Sequence, residues 1–139
     1  LETMISSLQL DGVSIHRVEL MNKDSREMTS EDHDAIANCV HEQSETHDGV
    51  IVIHGTDTLE VTGDRVIELY PALQKPCVLT GAMRPWIMRN TDALQNIVES
   101  FAVVQLLPPG VYVAMHNRVL QFPSIMKDRK ELRFTKIES

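Results

Sequence analysis

The sequence is expected to fold as an α/β domain, a three-layer αβα sandwich around a mainly parallel sheet. Short apolar runs alternate with stretches of helical periodicity along most of its 139 residues, the pattern of strands joined by crossover helices. The run Val50-Ile51-Val52-Ile53, bounded by Gly49 and Gly55, has the uninterrupted apolar character of a strand buried on both faces. Leu94, Ile97, Val98, Phe101 and Val104 recur at helical spacing and give a wide apolar face.

Leu1 to Leu8 reads as a short helix with Met4, Ile5 and Leu8 on one side. Val13 to Leu20 alternates apolar and polar residues, so a strand exposed on one face near the sheet edge is expected. The turn Met21-Asn22-Lys23-Asp24-Ser25 leaves it. Thr29, three residues before Asp32, resembles a capping start for a helix that uses Ile36, Cys39 and Val40 and ends by Asp48. After the Val50–Ile53 strand, Val61 to Leu73 is expected as a helix closed before Lys75-Pro76. Cys77 to Thr80 is the next strand. Thr91 to Leu107 is a helix stopped by Pro108-Pro109, and Val111 to Met115 a strand that Asn117-Arg118 turns into a Val119–Phe122 return. Lys127-Asp128-Arg129-Lys130 with Arg133 and Lys136 forms a basic tail, suited to a solvated surface or to an acidic neighbouring subunit.

Composition narrows the function classes. With 42% apolar residues the chain fits one compact domain over residues 1–139, and few aromatics leave the core to Val, Ile, Leu and seven Met. A net charge of −7 opposes general binding to nucleic acid or anionic membranes. No apolar run approaches the roughly 20 residues of a membrane span, and no charged-then-apolar leader precedes Leu1, so the cytoplasm is the expected compartment. Cys39 and Cys77 read as reduced core thiols. The six histidines lack metal-ligand spacing, and no phosphate-binding glycine motif occurs, so no metal or nucleotide cofactor is expected.

The chemistry concentrates at His54-Gly55-Thr56-Asp57-Thr58, at the carboxyl end of the Val50–Ile53 strand, the edge where open α/β sheets hold ligands. Thr56 offers a hydroxyl, Asp57 a negative charge or proton acceptor, and Gly55 close access to the backbone. On shape alone the segment suits a solvated strand-to-helix turn, with Thr56 or Thr58 as N-cap, slightly better. His54 suits a structural hydrogen bond.

A second cluster follows the next strand, at Val78-Leu79-Thr80-Gly81-Ala82-Met83-Arg84-Pro85. Together, HGTDTLE and LTGAMRP resemble the type I/type II L-asparaginase family. Lys23-Asp24-Ser25, Asn90-Thr91-Asp92-Ala93 and Gly110-Val111-Tyr112-Val113-Ala114-Met115 agree with that resemblance, which covers about Leu1 to Lys136 and is nearest to the short, single-domain members. It implies the fold of an asparaginase amino-terminal domain and an amidohydrolase that cleaves the side-chain amide of L-asparagine, and to some degree L-glutamine, through a Thr acyl-enzyme.

Carried over by position, the resemblance implies Thr56 as the second catalytic threonine, Asp57 as its neighbour facing the substrate ammonium, and Lys127 as the lysine completing the set. It implies Ser25, beside Asp24, as the receiver of the α-carboxylate, with Gly55 and the Ala82 backbone lining the pocket. Without it, Ser25 reads as a turn hydroxyl and Lys127 as a surface lysine. Asp92 and Asn96 are read as structural, capping or bracing their helix. Family habit implies a homodimer or homotetramer. The family's strand ending in a Thr-Gly-Gly-Thr-Ile type turn, which carries the nucleophile, has no counterpart here, so an unfilled slot in the sheet is expected. A non-catalytic amino-acid-binding or assembly module, and a component of a transfer-RNA amidotransferase, remain as alternative readings. After Arg84-Pro85, Trp86-Ile87-Met88-Arg89 is bulkier than the serine-rich stretch of two-domain members, which bears on substrate preference and subunit packing.

Overall fold

The computed structural model describes residues 1–137. Three parallel strands, β1 (Val50–Ile53), β2 (Pro76–Thr80) and β3 (Gly110–Met115), lie side by side, and β4 (Arg118–Gln121) returns antiparallel to β3. His116 and Asn117, with φ of 54° and 62°, make the two-residue turn between β3 and β4, one residue earlier than expected. The basic tail is a separate hairpin of β5 (Ile125–Asp128) and β6 (Arg133–Lys136), which sequence periodicity alone does not announce.

Side-chain alternation along β2 and β3 sorts the two layers of helices. Cys77, Leu79, Val111, Val113 and Met115 face one way, onto Ile36, Ala37 and Val40 of α2 (Ser30–Ser44) and Leu59 and Val66 of α3 (Leu59–Leu69). Val78, Tyr112 and Ala114 face the other way, onto Val103, Val104 and Leu107, at and just beyond the end of α4 (Ala93–Val104). The expected αβα sandwich with a mainly parallel sheet is therefore present. The capping box at the start of α2 is complete: Thr29 Oγ1 accepts from Asp32 N and Asp32 Oδ2 from Thr29 N. The leading helix, α1 (Glu2–Ser6), is one short turn.

Four expectations need correction. Residues 13–20 join no ladder among the described residues, and Ile15, Val18 and Leu20 are exposed; a period of two defines a face but supplies no partner strand. β1 is half-buried rather than buried on both faces, because it is the edge strand and only β2 pairs with it among the described residues. The four strands are contiguous, so the open position lies beside β1 and not between strands. α3 ends at Leu69, short of Leu73, because Pro71 drives Tyr70 out of helical geometry, to φ −133° and ψ 67°.

Candidate functional site

The carboxyl ends of β1 and β2 open into one cleft of about 440 Å³, and every expected site residue lines it. Asp24 and Ser25 come from the 3₁₀ turn Ser25–Glu27 and its N-cap; Gly55, Thr56 and Asp57 from the turn after β1; Ala82 from the turn after β2; Lys127 from β5. Thr56 and Lys127, which bond to each other, are 71 residues apart in sequence, so the fold alone assembles the set.

Lys127 is the hub. Its ammonium donates to Thr56 Oγ1 at 2.9 Å and to Asp57 Oδ1 at 3.0 Å, and its side chain is only 10% exposed. Asp57 Oδ1 also accepts from Arg129 Nη1 at 2.7 Å, and Arg26 Nε stands 3.8 Å from Asp57 Oδ2. The hydrogen bonds from Arg129 and then Lys127 hold the Asp57 carboxyl below the usual carboxylate range, so it stays ionised and keeps Lys127 in place. Arg129 and Arg26 are not evident from the sequence; the available signal for Arg129 is its place in the basic run beside Lys127, in the turn just after β5.

Ser25 is buried against Gly55 so closely that a Cβ at Gly55 would lie 2.8 Å from Ser25 Oγ and 2.9 Å from its Cβ. Thr58 Oγ1 ties the same turn down by donating to Ser25 O at 2.9 Å. Thr58 precedes α3 as its N-cap residue without a side-chain cap, its hydroxyl being spent on Ser25. Asp24 lines the cleft, yet its carboxylate accepts from Arg26 N, Nε and Nη2, and the side-chain hydrogen bond from Arg26 lowers its pKa to about 2.

Ala82 sits in a loop held from below. A Cβ at the preceding Gly81 would meet His54 O at 2.2 Å, so the β1 and β2 turns touch backbone to backbone. Asp92 then accepts from Met83 N, Arg84 N, Asn96 Nδ2 and His116 Nε2, while Asn96 donates to Gly81 O and accepts from His116 N. Asp92 gives α4 no side-chain cap; what these bonds brace is the loop after β2 and the β3–β4 turn, both tied to the start of α4. Burial pushes the Asp92 carboxyl up, but the donors together outweigh it and bring the pKa down to about 2.

His54 makes the structural bond expected of it, through Nδ1 to Gly55 O at 2.7 Å. Glu60, on the first turn of α3, carries a buried Oε2 with no partner among the described residues, and burial raises its pKa. Cys39 and Cys77 are free thiols. No group of three or more His, Cys, Asp or Glu is placed to hold a metal ion, and no helix is long and apolar enough to cross a membrane, among the described residues.

Comparison with known proteins gives the arrangement a context. The family model "Asparaginase, N-terminal" matches residues 1–131. An L-asparaginase of Thermococcus kodakarensis is 33% identical over 110 residues, covering 79% of this chain and 34% of that protein. A probable periplasmic L-asparaginase of Haemophilus influenzae is 34% identical over 106 residues, 74% of this chain and 30% of that one. The solved structure of the thermostable L-asparaginase from Thermococcus kodakarensis superposes with a TM-score of 0.88 at 29% identity, covering 97% of this chain and 42% of the other. The chain thus spans about a third of the length of these relatives. A match along residues 1–131, supported by fold and by identity near 30%, establishes that the chain belongs to the asparaginase amino-terminal family.

Proposed function

We propose that residues 1–139 form one amino-terminal-type domain of an amidohydrolase that releases ammonia from the side-chain amide of L-asparagine, and secondarily L-glutamine. The observation that carries this reading is the Thr56–Lys127–Asp57 cluster, a hydroxyl, an amine and a carboxylate within 3.0 Å links at the mouth of a cleft. A threonine hydroxyl is a poor nucleophile and needs a base. Lys127, sheltered from water and oriented by the Asp57 carboxylate, suits that task once it has lost a proton.

In the proposed cycle a threonine hydroxyl attacks the amide carbon, its proton passing through Thr56 and Lys127 to the departing nitrogen. The carbon–nitrogen bond breaks, ammonia leaves, and an ester links substrate to enzyme. Water, deprotonated by the same pair, then cleaves the ester and restores the hydroxyl. Ser25 receives the α-carboxylate, Asp57 faces the α-ammonium, and the Ala82 backbone lines the amide side. Backbone N–H groups near Thr56 stabilise the oxyanion, an interaction worth about 3 kcal/mol per donor.

The nucleophilic threonine of this scheme comes from a strand outside residues 1–139 that pairs with β1. Three features support that reading. The edge of β1 is apolar and without the lysine or proline that natural edges use for protection. Residues 13–20 carry a strand pattern but pair with no strand among the described residues, and His16 stacks on His47, two residues before Gly49, at 5.4 Å. Glu60 Oε2 is buried without a hydrogen-bond partner among the described residues.

The test is ammonia release from L-asparagine, L-glutamine and D-asparagine by the full-length protein, with its intact mass recorded. Release from L-asparagine by a chain heavier than 15.7 kDa supports the hydrolase and its external threonine. No release from such a chain, with L-aspartate still bound, replaces this reading with a non-catalytic amino-acid-binding module.

A further inference from the structure

We infer that His33, Thr62 and His54 form a proton-ordered hydrogen-bond chain that fixes the Gly55–Thr56 peptide, making His54 a positioning residue for Thr56. The inference rests on the role proposed for Thr56.

One carbonyl sets every proton in the chain. His54 Nδ1 lies 2.7 Å from Gly55 O, and a carbonyl only accepts, so Nδ1 carries the hydrogen. In a neutral imidazole Nε2 must then accept. Thr62 Oγ1, 2.7 Å from that Nε2, supplies its single hydroxyl proton there. His33 Nδ1 lies 2.6 Å from the same Oγ1. The hydroxyl proton being spent, His33 Nδ1 must also carry a hydrogen and donate it. Both rings are therefore Nδ1–H tautomers, and their planes are 8° apart.

The chain crosses three elements: His33 on α2, Thr62 on α3, and His54 at the end of β1. Thr62 is fully buried and both histidines are 5% exposed, so water does not compete for the bonds. Burial also lowers the pKa of each histidine, favouring the neutral rings that the ordering requires. None of the three lines the cleft. What they reach is the Gly55 carbonyl, whose peptide plane carries the Thr56 N–H. Rotating that plane would swing Thr56 away from Lys127, and a shift of about 1 Å in a catalytic group can cost on the order of a hundredfold in rate.

Long-range proton–nitrogen NMR of the imidazoles in the full-length protein is the direct test. We expect Nδ1–H for both His33 and His54, the minor tautomer of a free neutral histidine side chain in water. Thr62→Val removes both bonds at constant shape; it should shift the Gly55 carbonyl resonance and lower kcat for amide hydrolysis about tenfold or more, with KM nearly unchanged. Thr62→Ser keeps the hydroxyl and should restore both readouts. An Nε2–H tautomer on either histidine overturns the chain, and so does full kcat in Thr62→Val of an active enzyme. If the unmodified protein releases no ammonia, the hydrolase reading fails instead. The Gly55 carbonyl resonance then decides this inference, because an unmoved signal in Thr62→Val overturns it.

Discussion

Lys127 Nζ lies 2.9 Å from Thr56 Oγ1, so a strand of the carboxyl-terminal hairpin completes a cluster begun at the end of β1. The expected consequence is that the two act as one unit. Thr56→Val keeps the shape of a nearly buried side chain and should lower kcat by roughly 10²–10⁴, with the far-ultraviolet spectrum unchanged. Lys127→Met should cost a similar factor, and the double variant little more than either alone. Near-normal turnover in Thr56→Val would take Thr56 out of the mechanism. A fully multiplicative double variant would mean that the two residues work independently.

The contact between Gly55 and Ser25 leads to a stability prediction. Gly55→Ala places a methyl 2.8 Å from Ser25 Oγ and 2.9 Å from Ser25 Cβ, forcing one turn off the other. A loss of about 1–3 kcal/mol is expected from such overpacking. Adding Ser25→Gly removes both clashing atoms and should recover part of it. Urea unfolding of the three variants measures this directly. If Ser25→Gly makes Gly55→Ala worse, the two turns are not in contact as described.

Ser25 also separates binding from chemistry. Its proposed bond to the α-carboxylate exists in both ground and transition states, so Ser25→Ala should raise KM and leave kcat nearly constant. Steady-state kinetics with L-asparagine decides it: a loss confined to kcat would assign Ser25 another role.

Cysteine reactivity is a further check on the core. Burial pushes the Cys77 thiol up to about 12, and the residue has no exposed surface. Iodoacetamide at pH 8 should leave Cys77 unmodified in the native protein and alkylate it once urea is added. Cys39 is only partly covered and its thiol is raised less sharply, so it should react first, as peptide mass mapping would show. Rapid native labelling of Cys77 would mean that β2 is not central.

The elements legible in the sequence were those in which one residue pattern has one structural solution. The capping box at Thr29 and Asp32 marks the start of α2, and the β-branched run at Val50 marks β1. Pro71, which ends α3, was equally visible, but the longer apolar pattern reaching Leu73 outweighs it. Residues 13–20 show the converse, because alternation defines a face and pairing needs a neighbour. At the site, the turn after β1 declares its chemistry, whereas Lys127 does not: a lysine in a basic tail becomes a largely sheltered hub only when the β5–β6 hairpin folds back. The His33–Thr62–His54 chain was beyond sequence reading for the same reason, since its three members lie on three elements.

Acid sensitivity should be traceable to Asp92. Its folded pKa of about 2 lies below its usual 3.8, so the unfolded chain takes up its proton first as pH falls. The stabilisation is complete above about pH 4 and is lost progressively toward pH 2, amounting to about 1–2 kcal/mol once residual screening is allowed for. Asp92→Asn removes the charge and turns an amide group toward the Met83 and Arg84 N–H donors. It should be clearly destabilised at pH 7, by about 2–3 kcal/mol, and less so at pH 2.5. Other carboxylates titrate in the same window, Asp24 and Asp57 among them, so the informative quantity is the difference between the two proteins at each pH. Urea midpoints across that range would supply it. A penalty that does not change with pH would mean that the Asp92 charge contributes nothing to the loop that carries Ala82.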